Sequence, residues 1–269
     1  MSQNILSLGI IGAGFVGSAV INGFNRNVEQ YIVDPKVNKN TISGLVNYNP
    51  SITFVCVPTP EKDNGDVDTD IIHDVLSKLD KHNYKGITVI KSTVTPQHLT
   101  AFKKHFSLKL VYNPEFLTEA NSHNDFLNPH MQVLGGKWRD CDIVEKAYAR
   151  HSSVKVVPTF KVDLVTASLI KYTINSWLSV KVTFFNELYD LFQASGAMPS
   201  WNQFTEMLSN DPRMGKSHMQ VPGPDGRYGY GGHCFPKDTK ALLHYAKQKN
   251  TMMSILKKSI DRNEDIRKN

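Results

Sequence analysis

The stretch that most limits what this chain can fold into lies near its start. A short apolar run, Leu8-Gly9-Ile10-Ile11, enters Gly12-Ala13-Gly14-Phe15-Val16-Gly17, and an apolar helical pattern follows through Ala19, Val20, Ile21 and Phe24. Strand, glycine-rich turn and helix in that order form a dinucleotide-binding arrangement. Gly12 makes the tight turn, and Gly14, followed by Phe15 and Val16, lets backbone approach a pyrophosphate. Gly17 lets the helix lie close on the strand, with its N-terminus facing the phosphates. The spacing alone is a weak signal, and a second strand strengthens it: Gln30-Tyr31-Ile32-Val33 ends in Asp34. A carboxylate there accepts hydrogen bonds from an adenine ribose diol and repels a 2′-phosphate, which favours NAD over NADP. The alternative is an Asp that merely caps its strand.

Beyond Asp34 only a polar, Asn-rich segment, with Lys36 and Lys39 as candidate basic contacts, precedes the buried strand Ile52 to Val57. Strand and helix patterns then alternate. A stiff Pro58-Thr59-Pro60 loop leads to a helical pattern from Asp68 to Leu79. Ile87 to Ile90 leads to Lys91-Ser92-Thr93-Val94, and Leu108 to Val111 leads to Asn113-Pro114-Glu115-Phe116-Leu117. Val133 and Val154 to Val157 are candidate later strands. Such alternation predicts an α/β fold, a doubly wound, mainly parallel sheet whose ligands lie at the C-terminal strand ends. From Val162 to Phe192 there is neither Pro nor Gly, and apolar residues fall nearly all round. A long helix buried on most sides follows. The expected division is a Rossmann domain over residues 1–160 and an all-helical domain built on that helix over 161–269.

Composition excludes little. The formal charge of +6 suits nucleic acid or anionic small molecules equally, but no basic block with interleaved aromatics is present. No run of eighteen apolar residues exists, and the N-terminus shows no charged leader pattern, so neither a membrane span nor a secretory signal is expected. Cys56, Cys141 and Cys234 are odd in number, lack metal-ligand spacing, and read as reduced thiols of a cytoplasmic protein.

Cys234 stands in Gly229-Tyr230-Gly231-Gly232-His233-Cys234-Phe235-Pro236-Lys237-Asp238. The glycines leave backbone bare for close approach. Pro236 suits the first turn of a helix running through Ala241, Leu242, Leu243 and Tyr245. Cys234 then sits at the positive end of that helix, which favours thiolate; a lone Cys after a glycine turn is otherwise structural. Lys171 and Asn175 lie one turn apart on one face of the long helix, and a buried ammonium there calls for an anionic partner.

The cysteine stretch resembles the GGxCxPKD signature of the UDP-glucose/GDP-mannose dehydrogenase family, and the likeness runs from about Ser7 to Asp265. Ser92 and Thr93 are similar to its KSTV segment, whose hydroxyls lie near nicotinamide and substrate. Asn113 to Glu119 is similar to its NPEFLxEG segment, with Ala120 in place of Gly, and Lys171 and Asn175 match its KxxxN helix. The resemblance implies two NAD-dependent oxidations of a sugar primary alcohol, UDP-glucose to UDP-glucuronate, with GDP-mannose or a UDP-N-acetylhexosamine as alternative substrates. A non-catalytic NAD-binding relic is the rival of another class. The resemblance makes Cys234 the nucleophile, Glu115 the proton-transfer residue and Lys171 with Asn175 the oxyanion holders; Asp238 assists hydrolysis, and Thr93 joins the catalytic set. It assigns Val57, Pro58, Thr59, Ser92, Thr93, Glu119 and Lys237 to the cofactor. Glu115, Phe116, Leu117, Lys171, Asn175, Arg213, Tyr230, Gly231 and Cys234 go to the substrate. It further implies that a UDP-binding C-terminal domain is absent, and, with the apolar long helix, a homodimer; nucleic acid and membrane are not expected partners.

Overall fold

A computed structural model describes residues 5–118 and 121–268. The chain divides into two compact units: one reaches Lys62 and resumes from Val67 to Lys171, and the other takes Asp63–Asp66 and the chain from Tyr172 onward.

The first unit opens with β1 (Leu6–Ile11), α1 (Phe15–Gly23), β2 (Val28–Val33), α2 (Ile42–Tyr48) and β3 (Ile52–Val55). It continues through α3 (Asp70–Lys81), β4 (Ile87–Ile90), α4 (Pro96–His105), β5 (Lys109–Tyr112) and α5 (Ser122–Leu127). It then adds β6 (Gln132–Gly136), α6 (Trp138–His151) and β7 (Thr159–Val162). The strands form one sheet in the order β2-β1-β3-β4-β5-β6-β7. Pairing is parallel except between β5 and β6, where Val111 faces Gly136. Because β1 lies between β2 and β3, the order reverses there, and the glycine turn leaves the sheet at that crevice. Each face is sealed by its own apolar cluster: Leu8, Ile10, Val20, Phe24, Phe54 and Tyr148 belong to one, Ile72, Leu76, Leu99, Phe102 and Leu164 to another. The doubly wound α/β fold expected from the alternation is the fold observed.

Two local readings are corrected. The Asn-rich segment after Asp34 holds a helix, α2, started by Thr41, whose hydroxyl accepts the Gly44 N–H at 3.0 Å. Only Leu45 of that helix is fully buried, so its apolar period is faint. Val154 to Val157 is not a strand. That run is tied through Lys155 N–H to Leu127 O (2.7 Å), and the ladder to β6 begins only where the Pro158 carbonyl accepts Gln132 N–H. Proline brings no N–H of its own, so the paired strand starts at Thr159.

The long helix α7 (Leu164–Ala194) spans 31 residues, about 45 Å at ~1.5 Å per residue. Asp163 starts it, its carboxylate accepting the N–H groups of Val165 and Thr166. The helix is buried or half-buried over most of its surface, as expected, but one apolar stripe is open: Trp177, Phe184 and Leu191 are 63%, 56% and 65% exposed. The second unit adds α8 (Trp201–Ser209), α9 (Phe235–Gln248) and α10 (Ser254–Lys268). Its core is aromatic, with Phe185, Phe192 and Trp201 packed with Met219 and Val221.

Two glycines of the first turn are demanded by sterics alone. Gly12 has φ +90°, and a Cβ there would lie 2.7 Å from the Cys56 carbonyl oxygen; at Gly17 it would collide with the Gly12 carbonyl oxygen. At Gly14 nothing lies within 4 Å. Gly17→Ala is therefore expected to lose about 1–3 kcal/mol in denaturant unfolding, while Gly14→Ala stays within about 0.5 kcal/mol of the parent chain.

Candidate active site

The C-terminal ends of β1, β2, β3, β4 and β5 carry the residues singled out in the first unit, apart from Lys171 on α7. Gly14 is the N-cap of α1, and its missing side chain leaves the helix N-terminus bare. One Asp34 oxygen accepts Ala13 N–H at 2.7 Å and the other Lys36 N–H at 2.8 Å. A carboxylate retains lone pairs beyond these for a ribose diol. Phe15 is exposed, Val16 half-buried, and Lys36 and Lys39 are on the surface. After β3, Val57 O accepts the Ser92 hydroxyl at 2.6 Å, Pro58 is exposed, and Thr59, Ser92 and Thr93 are buried.

Beyond β5, residues 113–118 have no regular structure, so Glu115 is not on a solvated helix face. It is 8% exposed and paired with the Lys171 ammonium at 3.1 Å, while its second oxygen accepts Leu117 N–H at 2.6 Å. The same ammonium lies 5.4 Å from the Phe116 ring centroid. Burial pushes the Glu115 carboxyl upward, but the Lys171 charge, the Leu117 amide and the Lys91 charge together hold it below the ordinary range. It is ionised. Glu119 lies outside the described residues.

Sequence reasoning missed the cluster that supports Glu115. The Lys91 ammonium is 3.0 Å from Asn113 Oδ1, 3.3 Å from Asn113 O and 3.4 Å from the Tyr148 hydroxyl. Tyr148 donates to Asn113 Oδ1 at 2.7 Å, and Asn113 Nδ2 donates to Val133 O at 2.9 Å. No periodic signal marks such a set, since its members come from three separate segments. Burial lowers Lys91 to about 8, against the pull of Cys56 and Glu115 and with the repulsion of Lys171.

In the second unit Cys234 is the N-cap of α9, and its carbonyl accepts Asp238 N–H at 2.9 Å, so the helix begins where Pro236 predicts. Asp238 is 1% exposed; one oxygen accepts Asn175 Nδ2 and the other Lys237 Nζ, both at 2.6 Å. Lys237, expected against the cofactor, is thus the counter-ion of its neighbour. Arg213 forms a double hydrogen bond with Asp211 and is exposed. Tyr230 is buried, and Gly231 lies against the Arg267 guanidinium. The bare glycine backbone expected to admit a ligand is therefore met, at Gly229 and Gly231, by side chains of α10. Among the three cysteines Cys56 and Cys141 are buried, their thiols raised to about 12 and about 11 chiefly by burial, whereas Cys234 is partly exposed.

The UDP-glucose/GDP-mannose dehydrogenase family model for the NAD-binding domain matches residues 46–152, and its central-domain model matches 165–265. The chain belongs to this family. A UDP-glucose 6-dehydrogenase of Rickettsia conorii is 36% identical over 223 residues, 80% of this chain and 49% of the relative. UDP-glucose 6-dehydrogenase TuaD of Bacillus subtilis is 29% identical over 251 residues, 89% of this chain and 52% of the relative. The chain thus spans about half the length of the curated relatives it matches. In fold it is similar to a UDP-glucose dehydrogenase structure from Pyrobaculum islandicum, with TM-score 0.83 at 23% identity over 98% of this chain and 69% of the other. NAD is the cofactor of the family's N-terminal domain, and the residues fit it: bare Gly14 at a helix N-terminus suits a pyrophosphate, and Asp34 a ribose diol.

The Lys91 shift carries a sign. Its folded pKa of about 8 lies below the ordinary 10.5, so the unfolded chain binds more protons between those values. Stability referenced to Lys91→Met is expected to rise with pH across that window, by at most about 1.4 kcal/mol per pH unit. Denaturant titrations of both chains at pH 7.5, 9 and 10 check it; a difference flat with pH contradicts it.

Proposed function

We propose that this chain oxidises the primary alcohol of a nucleotide sugar, UDP-glucose to UDP-glucuronate, through a covalent intermediate on Cys234. The observation that carries the reading is the placement of Cys234: a partly exposed thiol at the start of α9, while the other two are buried and hard to ionise. A helix N-terminus favours the thiolate. Sequence similarity to UDP-glucose 6-dehydrogenases supports this substrate ahead of GDP-mannose or a UDP-N-acetylhexosamine.

NAD supplies the hydride acceptor, one molecule for each of the two oxidations. Glu115, held ionised, takes the alcohol proton as the first aldehyde forms. The Cys234 sulfur adds to the aldehyde carbon to give a thiohemiacetal, and loss of the second hydride from that carbon leaves a thioester. Water then adds to the thioester carbon; Glu115, having passed its earlier proton to solvent, accepts the proton of this water, and the Cys234 thiolate leaves as the carboxylate is released. Lys171 and Asn175 hold the oxygen on the reacting carbon. Asp238 takes one Asn175 amide hydrogen and so orients the second. Ser92 and Thr93 follow β4 beside Val57, where they line the nicotinamide end; Arg213 serves the nucleotide sugar.

The exposed Trp177, Phe184 and Leu191 repeat every seven residues on α7, the spacing of a helix seam. We assign that seam to a homodimer. Among the described residues no helix is long and apolar enough to cross a membrane; cysteines that form no disulfide support a reducing, cytoplasmic setting.

With UDP-glucose the wild type is expected to form two NADH per sugar, and Cys234→Ser at most one, with aldehyde recovered by a hydrazine trap. Undiminished two-for-one turnover in the variant removes the covalent route, and turnover of another nucleotide sugar in preference corrects the substrate. Sedimentation at micromolar concentration is expected to show a dimer that Phe184→Glu weakens by at least about tenfold; a wild-type monomer refutes the seam.

A further inference from the structure

We infer that Asn263 on α10 is a positioning residue for Cys234, acting by clamping the main chain of Tyr230. This rests on Cys234 being the nucleophile, as proposed above. Asn263 is 6% exposed, and its amide uses both ends on one residue: Oδ1 accepts Tyr230 N–H at 2.7 Å and Nδ2 donates to Tyr230 O at 3.0 Å. The arrangement copies one rung of a β-ladder with a side chain. On one side of the rung Gly229 N–H donates to Asn186 Oδ1 at 2.9 Å, and Asn186 is itself buried on α7.

The Tyr230 ring completes the link. It is 5% exposed and stands edge-on to Phe235, with centroids 6.1 Å apart, and Phe235 directly follows Cys234 as the first residue of α9. Tyr230 is thereby held by its backbone to α10 and by its ring to the first turn of the cysteine helix, with Gly231, Gly232 and His233 between. The glycines follow from the same packing. Gly229 has φ +72°, and a Cβ on it would lie 2.5 Å from Asn263 Oδ1; one on Gly231 would enter the Arg267 guanidinium. Arg267 closes the outer edge of the loop, bonded to Asp225 Oδ2 at 2.8 Å and Tyr228 O at 3.3 Å. Of these contacts only the Asn263 pair satisfies both backbone groups of a buried residue, so its loss leaves two buried polar groups unmatched and frees the loop.

The test compares Asn263→Ala and Asn263→Asp with wild type, and with Arg262→Ala, which removes only an exposed ion pair to Glu187 on the same helix. Asn263→Asp keeps size and the acceptor for Tyr230 N–H, and carries the comparison should the alanine variant not fold. The first readout is the rate of Cys234 alkylation by iodoacetamide in the native chain. Both Asn263 variants are expected to change it by at least about threefold while Arg262→Ala does not; an unchanged rate in a folded variant overturns the clamp, whatever turnover does. The second is catalysis. A misplaced sulfur is expected to lower kcat by about 10–100-fold with the KM for NAD within about twofold, and to shift NADH per sugar from two toward one. A merely destabilised fold lowers activity in proportion to the folded fraction and keeps two NADH per sugar, which counts against positioning. If wild type reduces no NAD with any nucleotide sugar, the proposed activity fails, and the alkylation rates still decide the clamp.

Discussion

The ion pair between Lys171 and Glu115 ties the first turns of α7 to the irregular chain after β5, and both side chains are almost dry, at 2% and 7% exposure. Desolvating two charges is costly, and the pair is retained only because each group is also satisfied elsewhere, Glu115 by Leu117 N–H and Lys171 by the face of Phe116. Removing either partner strands a buried charge, at about 3–5 kcal/mol. The segment 113–118 lacks a helical or strand ladder, so these bonds do what a ladder does elsewhere. They give an unrepetitive stretch one conformation.

Lys91 extends the same logic a layer deeper. Its ammonium is surrounded by neutral oxygens of Asn113 and Tyr148, and it adds positive potential to the neighbourhood of Glu115. Two cations for one carboxylate keep that carboxylate ionised in surroundings that would otherwise protonate it. The second unit uses the mirror arrangement. Asp238 is buried between Lys237 and Asn175, and the cysteine loop is fastened by polar side chains of α7 and α10. In both units a candidate site residue is held by a buried polar set that carries no apolar pattern of its own.

What could be seen in the sequence was local. The turn at Gly12, the close approach at Gly17 and the bare N-cap at Gly14 follow from strand, turn and helix read in order, and the sterics bear each out. Pro236 fixed the start of α9 to within a residue, because proline is tolerated only before the helical ladder closes. The absence of Pro and Gly bounded α7 nearly to its ends. What could not be seen depended on where individual side chains turn and which of them the fold buries. The resemblance assigns Lys237 to the cofactor, and nothing in the spacing says that its ammonium also meets the neighbouring Asp238 carboxylate. Helix α2 escaped notice because one buried leucine makes no period.

The chain's order of residues therefore determined by itself where strands end, where helices begin, and which residue types of a nucleotide-sugar dehydrogenase are present. These are questions of backbone sterics, hydrogen-bond donors and repeat, settled within a few positions. Only the tertiary structure decided that Glu115 is an ionised, buried carboxylate, that Asn113, Lys91 and Tyr148 form one cluster, and that Gly229 and Gly231 make way for α10. Burial and charge pairing are sums over neighbours brought together by the fold, and a residue's place in sequence does not contain them.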